Sequence, residues 1–343
     1  VFVARVQDQG ADQLPKFAQL KNLQSGGFSN HARMRSFGAQ ALAQIQSEVF
    51  DVSLSFNRLP GFDFYYCADA SFVRRARQRH SFAYRITPRY RQLAAAEQAV
   101  FGMQATSTVL FVSDALHRQY REQYAVADAR STVLPPFVDP NRSSEVAALP
   151  DAAIARATLE LPAEGFVVLS VGSGFNTKGV DRSIRAVAAL PDELKARVNL
   201  IVVGSGKEFA LLRLAESLGV KNRVRFVGPA DNVPLYMKAA DLLLHPARNE
   251  ASGTVLVEAM QSGLAILCSG ICGYAPLVDE AKCGEVLPEP FDQRELDQIL
   301  VSTLRGLGSS NSGENGQKKA LALERVSMPD IVLRLLESPP NIN

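Results

Sequence analysis

The sequence predicts an α/β fold built from two open parallel-sheet domains, and three observations carry that expectation. Strand-like and helix-like segments alternate from Phe166 onward, the strand-like ones are apolar along their whole length, and glycines recur where they end. An all-apolar strand is buried on both faces, which a parallel sheet covered by helices on each side provides. A chain of 343 residues has room for two such domains, each with its own core.

The second half is the more regular. FVVLSVGSG precedes GVDRSIRAVAALP, VNLIVVGSG precedes FALLRLAESLG, VRFVGPA precedes VPLYMKAA, DLLLHPA precedes TVLVEAMQSG, and LAILCSG precedes YAPLVDEA. Each pair is a short buried strand followed by helical spacing. Residues 1–140 show a looser version. VFVARVQD, FDVSLSF, FDFYYCA, STVLFVS and STVLPPF are the strand candidates, with helices around Arg33–Glu48 and Ala115–Tyr124.

The expected domains are therefore 1–140 and 166–305, joined by a connector over 141–165 that carries one short helix. Residues 306–343 are expected to form a mobile loop, GLGSSNSGENGQKK, and then an amphipathic helix, MPDIVLRLLESPP. No repeat of 20–50 residues is present. Ligands of open α/β sheets bind beyond the carboxyl ends of the strands, so a cleft between the two domains is the expected site.

Composition narrows the function classes. Apolar residues at 47% and charged residues at 21% describe an ordinary globular protein. No apolar run reaches the roughly 18 residues of a spanning helix, and no signal peptide is visible. Cys67, Cys268, Cys272 and Cys283 include no CxxC pair, and the four histidines are scattered, so reduced thiols and no metal site are expected. Charge is uneven: 16 basic against 11 acidic residues through Pro140, and 21 against 24 beyond it. The first part thus suits an anionic partner.

GSGFNTKG, at Gly172–Gly179, occupies the strand-to-helix position of a phosphate loop. Its spacing is neither GxGxxG nor GxxxxGK[ST], and the next strand, NLIVVGSG, ends without an acidic residue to hold an adenosine ribose. A nicotinamide enzyme and a P-loop ATPase are disfavoured. What remains is a glycine turn carrying Lys178 at a helix N-terminus, where an anion is favoured. VVGSGKE and FVGPADN place further glycines, Gly204 and Gly228, at strand ends.

RNEASGTVLVEAMQSG sets Glu250 in the loop after one strand and Glu258 eight positions on, inside the next helix. Ser252 and Gly253 are suitable N-caps between them. An acid/base pair is the obvious reading. A half-buried Glu258 among apolar neighbours instead needs hydrogen-bond donors, and ribose hydroxyls would supply two.

This E-x7-E arrangement in a second Rossmann-like domain resembles the family 4 retaining glycosyltransferases of GT-B fold. FNRLPGFDFYYCADASF, YRITPRYRQLAAAE, GVDRSI, AADLLLHPA and CGYA resemble more narrowly the lipopolysaccharide core heptose glucosyltransferases. The resemblance covers most of the chain. It implies two Rossmann-like domains facing across a cleft and retaining transfer of glucose from UDP-glucose to inner-core heptose. It implies that Glu258 binds the ribose of UDP, that Glu250 holds glucose hydroxyls, and that Ala251, Ser252, Gly253 and Thr254 approach sugar and pyrophosphate through their backbone. Lys178, with Gly174 beside it, would neutralise the leaving diphosphate, and the loops at Gly204–Lys207 and Gly228–Asp231 would flank the uracil. Asp69 would face the transferred sugar. No nucleophile is evident, so a same-face reaction assisted by the departing UDP oxygen is implied, with no metal ion and no other cofactor.

Two departures accompany the resemblance. Ser173 and Thr177 stand where the family pattern has basic residues, so phosphate binding is expected either to be weaker or to use Arg182. The family's first strand and the glycine loop after it would precede Val1, so the first domain is expected to lack its first strand. The alternatives are accordingly a family 4 enzyme with another sugar or glycolipid acceptor, or a catalytically silent UDP-sugar-binding protein at a membrane.

Segment 71–97 holds Arg74, Arg75, Arg77, Arg79, Arg85, Arg89 and Arg91 with no acidic residue before Glu97, and interleaves Phe72, Phe82, Tyr84 and Tyr90. An anionic membrane surface suits this composition, each such charge being worth roughly 1 kcal/mol there. Nucleic acid would suit it too. The resemblance selects the phosphorylated, membrane-anchored glycolipid, and with it a peripheral location on the cytoplasmic face of a Gram-negative inner membrane.

Overall fold

The structure, a computed structural model, describes residues 2–4, 20–23 and 26–337. The chain divides into two units, one holding residues up to Phe111, His117–Val133 and those from Leu333 on, the other Val112–Leu116 and Leu134–Val332.

In the first unit β1 (Phe2–Ala4) pairs in parallel with β2 (Leu20–Asn22). A parallel sheet of four takes the order β3 (Leu54–Ser55), β4 (Phe64–Cys67), β5 (Thr108–Phe111), β6 (Ser131–Val133). Beyond Ala4, the continuation of the strand expected from VFVARVQD lies outside the described residues. FDVSLSF shrinks to two strand residues because its serines bond locally: Ser53 donates to Asp63 from both N and Oγ, and Ser55 Oγ donates to Asn57 O. The expected helices form at Asn30–Ser47 and Asp114–Tyr124. Phe101 stacks on Tyr120 at 3.9 Å, and both are fully buried.

The second unit is one parallel sheet of β7 (Phe166–Val171), β8 (Val198–Val203), β9 (Val224–Gly228), β10 (Leu242–His245), β11 (Ala265–Ser269) and β12 (Gly284–Leu287), in the order β12-β11-β10-β7-β8-β9. Alternate residues face opposite cores, as a period of two requires. Val167, Leu169, Ile201, Leu243 and Ile266 enter one cluster; Val168, Leu200, Val202, Leu242 and Leu267 enter the other. Both faces being covered explains why these strands read as unbroken apolar runs.

Two expectations are corrected here. Segment 141–165 is not a connector with one helix: Arg142–Ala148 and Ala152–Thr158 are both helical and both belong to the second unit. Buried Arg156 fastens the second of them, donating to Ala239 O at 2.9 Å and pairing with Asp241 at 2.6 Å. Segment 306–319 is not a loop either. It passes through a 3-10 turn into helix Ser312–Glu324. Two of its glycines serve close packing: a Cβ on Gly313 would lie 2.3 Å from Gly263 O, and one on Gly316 would lie 3.3 Å from Met260 and Cys283. The C-terminal helix spans Met328–Glu337; the rest of its expected length is outside the described residues. No described helix is long and apolar enough to cross a membrane.

Candidate active site

The strand order reverses direction between β7 and β10, because the chain leaves β7 toward β8 on one side and later returns to β10 on the other. Crevices beyond the carboxyl ends of strands at such a switch point are where ligands bind in this architecture. The flanking loops are 172–179 and 246–253, the two that the sequence singled out.

Backbone hydrogen bonds lock these loops side by side. Gly172 N donates to Val203 O at 2.9 Å, Gly174 N to Ser205 O at 2.7 Å, and Gly204 N to Gly228 O at 2.8 Å. Across the switch point Arg248 N donates to Thr177 O at 2.8 Å, and on the far side of the β10 loop Tyr274 N, from the loop after β11, donates to Ser252 O at 2.7 Å. Gly179 is required twice over: its φ is +72°, and a Cβ there would lie 2.0 Å from Pro246 O. The Arg248 fork grips Asp181 at 2.6 and 2.7 Å and also donates to Asn176 O. Burial would raise the Asp181 carboxyl, but the Arg248 bonds and charge hold it below the usual range.

Lys178 closes a one-turn helix, Phe175–Lys178, and directly precedes Gly179, the N-cap of helix Val180–Ala189. The Lys178 ammonium pairs with Glu250 Oε2, which also lies 3.3 Å from His245 Nε2. Burial pushes the Glu250 carboxyl up, and the hydrogen bonds and charges of His245 and Lys178 outweigh it, holding the group below the usual carboxylate range. Glu250 is therefore an ionised acceptor at neutral pH.

Glu258 has the opposite environment. Burial raises its carboxyl, Arg142 opposes this, and Asp139 adds to it. Among the described residues no group donates a hydrogen bond to it. One strand-to-helix segment thus carries one carboxylate paired with Lys178 and His245 and one that, among the described residues, accepts no hydrogen bond, which is no acid/base pair sharing a proton.

Gly253, with φ +93°, takes the N-cap of helix Thr254–Gln261, so the cap expected of Ser252 or Gly253 falls to glycine and supplies no side-chain acceptor. The first turn of that eight-residue helix also contains no acidic residue, and although Leu256 N is taken by Gly253 O at 2.9 Å, the positive end of its dipole is left for an anion. Ala251, Ser252 and Thr254 border this turn. On the other flank, Gly204 and Gly228 meet through their main chains, and Phe175 lies against Phe226 at 5.5 Å between ring centroids.

Arg182 is corrected as a phosphate ligand. Its Nη1 donates to Pro246 O and Ala247 O, both at 3.1 Å, and its guanidinium lies 3.5 Å from the centre of the Phe291 ring. Cys272 is no nucleophile: burial and the Glu250 charge push its thiol up to about 12, far from the thiolate that such chemistry needs. Sequence reading missed His245, Arg248 and Arg142. A polar residue ending the all-apolar strand DLLLH was the available signal for the first; the other two depend on distant partners and had none.

In the first unit Asp69 is exposed, two residues beyond β4. The basic segment forms helix Phe72–Arg79, a 3-10 turn at Phe82–Ile86 and helix Pro88–Phe101. Arg74, Arg77, Arg89 and Arg91 are exposed, while Arg75 and Arg85 are half-buried. The Arg79 side chain lies outside the described residues. Tyr84 and Tyr90 are half-buried in contact with each other, their ring centroids 5.9 Å apart. Phe82 and Ile86, 74% and 61% exposed, are the apolar side chains that project. Glu97, the segment's one acid, is fully buried and dilutes none of the outward positive charge.

Two parallel α/β units, one with a lysine and two carboxylates at its switch point, constitute a nucleotide-sugar transferase of GT-B fold. The chain belongs to the group 1 glycosyl transferases, whose family model matches residues 151–311. It is similar to the lipopolysaccharide glucosyltransferase WaaG of Escherichia coli strain K12, with 36% identity over 290 residues, covering 84% of this chain and 78% of that protein. The crystal structure of WaaG, a glycosyltransferase involved in lipopolysaccharide biosynthesis, matches with a TM-score of 0.86 at 35% identity, over 95% of this chain and 88% of that one. Anabaena HepE in complex with UDP-glucose shares the fold, with a TM-score of 0.70 at 19% identity over 93% and 85% of the two chains.

Proposed function

We propose that this protein transfers glucose from UDP-glucose to an inner-core heptose of lipopolysaccharide with retention of the anomeric configuration. The observation that carries the reading is the pair of contrasting carboxylates on the switch-point loop, set in a chain with 36% identity to WaaG. Glu258, half-buried and without a hydrogen-bond donor among the described residues, accepts from the two ribose hydroxyls of UDP. Glu250, ionised, accepts from hydroxyls of the glucose. An ammonium has three N–H groups; Lys178 gives one to Glu250 and has two for the β-phosphate.

In the reaction the bond from C1 to the β-phosphate oxygen breaks as the acceptor oxygen bonds to C1 on the same face. The acceptor's proton passes to the departing phosphate oxygen. Lys178 and the first-turn N–H groups of helix Thr254–Gln261 stabilise the charge that develops there, which is where preorganised donors lower a barrier most. The scheme invokes no metal ion. Incorporation of labelled glucose from UDP-glucose into glucose-deficient lipopolysaccharide tests it. Glucose transfer in preference to galactose or N-acetylglucosamine is the expected result, and transfer of another sugar alone would reassign the donor.

The acceptor is a phosphorylated glycolipid, and the first unit's basic helices supply a surface for it at the cytoplasmic face of the inner membrane. Arg74, Arg77, Arg89 and Arg91 attract anionic headgroups, and Phe82 and Ile86 enter the interface between them. Flotation with vesicles containing 30% phosphatidylglycerol checks this. Replacing the seven arginines by glutamine is expected to abolish flotation, and unchanged flotation would refute the assignment of this surface.

A further inference from the structure

The loop carrying Asp69 is braced more heavily than an exposed loop requires. Its carboxylate has no hydrogen bond or ion pair among the described residues, yet its main-chain carbonyl accepts from three donors. Tyr120 Oη stands at 3.0 Å, Arg58 Nη2 at 3.4 Å and Cys67 Sγ at 3.8 Å. Arg58 Nη2 also donates to the next carbonyl, Ala70 O, at 2.9 Å, and to Tyr120 Oη at 3.1 Å.

The brace continues toward the basic helix. Ser71 N donates to Gln119 Oε1 at 3.0 Å, Phe72 N donates to Glu97 at 2.7 Å, and the Ser71 hydroxyl donates to Glu97 as well. Glu97 accepts from Tyr124 Oη at 2.8 Å and lies 3.8 Å from Arg58 Nη1. Tyr120 and Glu97 are fully buried, and the Arg58 side chain is 16% exposed. Burying a guanidinium and a carboxylate is costly even when they are paired. An apolar residue would support the loop more cheaply, but it could not fix the direction of two successive carbonyls.

We infer that Arg58 and Tyr120 are positioning residues that fix the main chain at Asp69–Ala70 and so set the direction of the Asp69 carboxylate, with Glu97 extending the brace to the first turn of helix Phe72–Arg79. The inference rests on the proposed glucosyl transfer and on the part in it that the family resemblance implies for Asp69. A displacement of about 1 Å at a reacting group costs up to roughly 10²-fold in rate, so slackening one contact of the brace has a measurable effect. Tyr120→Phe is the discriminating variant, because it removes the hydroxyl and keeps the ring stacked on Phe101.

The test is steady-state transfer by the full chain, with UDP-glucose and glucose-deficient lipopolysaccharide, for Tyr120→Phe, Asp69→Ala and the double variant. Tyr120→Phe is expected to lower kcat about tenfold with KM for UDP-glucose nearly unchanged. The double variant is expected to be no slower than Asp69→Ala alone. Arg58→Lys, which keeps the charge beside Glu97 but loses the planar fork, follows the same pattern. Multiplicative losses in the double variant would show that Tyr120 acts independently of Asp69 and overturn the inference. A slowed Asp69→Ala beside a fully active Tyr120→Phe would overturn the brace alone. A fully active Asp69→Ala would overturn the role of Asp69 and the brace with it.

Discussion

Lys178→Ala is expected to lower kcat for glucosyl transfer by about two to three orders of magnitude, the cost of removing one preorganised charge stabiliser. Its effect on UDP affinity is expected to be much smaller, about tenfold or less, because helix Thr254–Gln261 and Glu258 still engage the nucleotide. The split between the two effects identifies Lys178 as a group whose contact strengthens in the transition state. The variant also leaves the 13%-exposed Glu250 side chain with His245 as its remaining partner. Rapid-quench measurement of single-turnover transfer, beside UDP titration of the same preparation, checks both halves. Equal losses in binding and turnover would instead assign Lys178 to ground-state binding.

Glu258→Gln is expected to make the unliganded protein more stable and UDP binding about 10- to 100-fold weaker, consistent with loss of charge-assisted hydrogen bonds to two hydroxyls. The sign follows from the environment. Burial raises the Glu258 carboxyl above its ordinary value, so its stability contribution is complete below the unfolded-state pKa and is lost as pH rises through the folded one. Once ionised, the group is a liability that ligand hydroxyls would relieve. UDP affinity should therefore fall as pH drops through the raised Glu258 value. Glu250 behaves oppositely: its depressed carboxyl contributes stability above the ordinary carboxylate range, and that contribution is lost only as pH falls below it. Thermal unfolding of Glu258→Gln and the parent across pH 4–8 checks the sign. A lowered midpoint at pH 7 would contradict it.

Much of this was legible in the sequence, for identifiable reasons. The strands of the second unit are buried on both faces, so VVL, LIVV and LLLH announce themselves without help from tertiary context. The glycines that end them mark the loops, and Glu258 is conspicuous because its immediate neighbours, VLV and AM, are apolar. What failed depended on partners far away in sequence. Gly313 and Gly316 read as loop residues, but a helix packs closely on Gly263 and Met260 through them. Arg182 looked free to bind phosphate until Phe291 and two carbonyls of the β10 loop came to occupy it. Tyr84 and Tyr90 looked outward-facing by composition; they pack on one another, and Phe82 and Ile86 project instead. The pairing of Lys178 with Glu250 spans 72 positions, which no local pattern encodes.

The proposed function makes the switch point of the second unit a uridine-nucleotide site in which Glu258 is the ribose ligand. Calorimetric titration of UDP into the full chain, with Glu258→Ala and an ADP titration beside it, is the direct test. Saturable binding of one UDP is expected, at least about tenfold weaker for Glu258→Ala and absent for ADP. A cooperatively unfolding chain that binds no UDP, or that binds UDP equally well without Glu258, would contradict it.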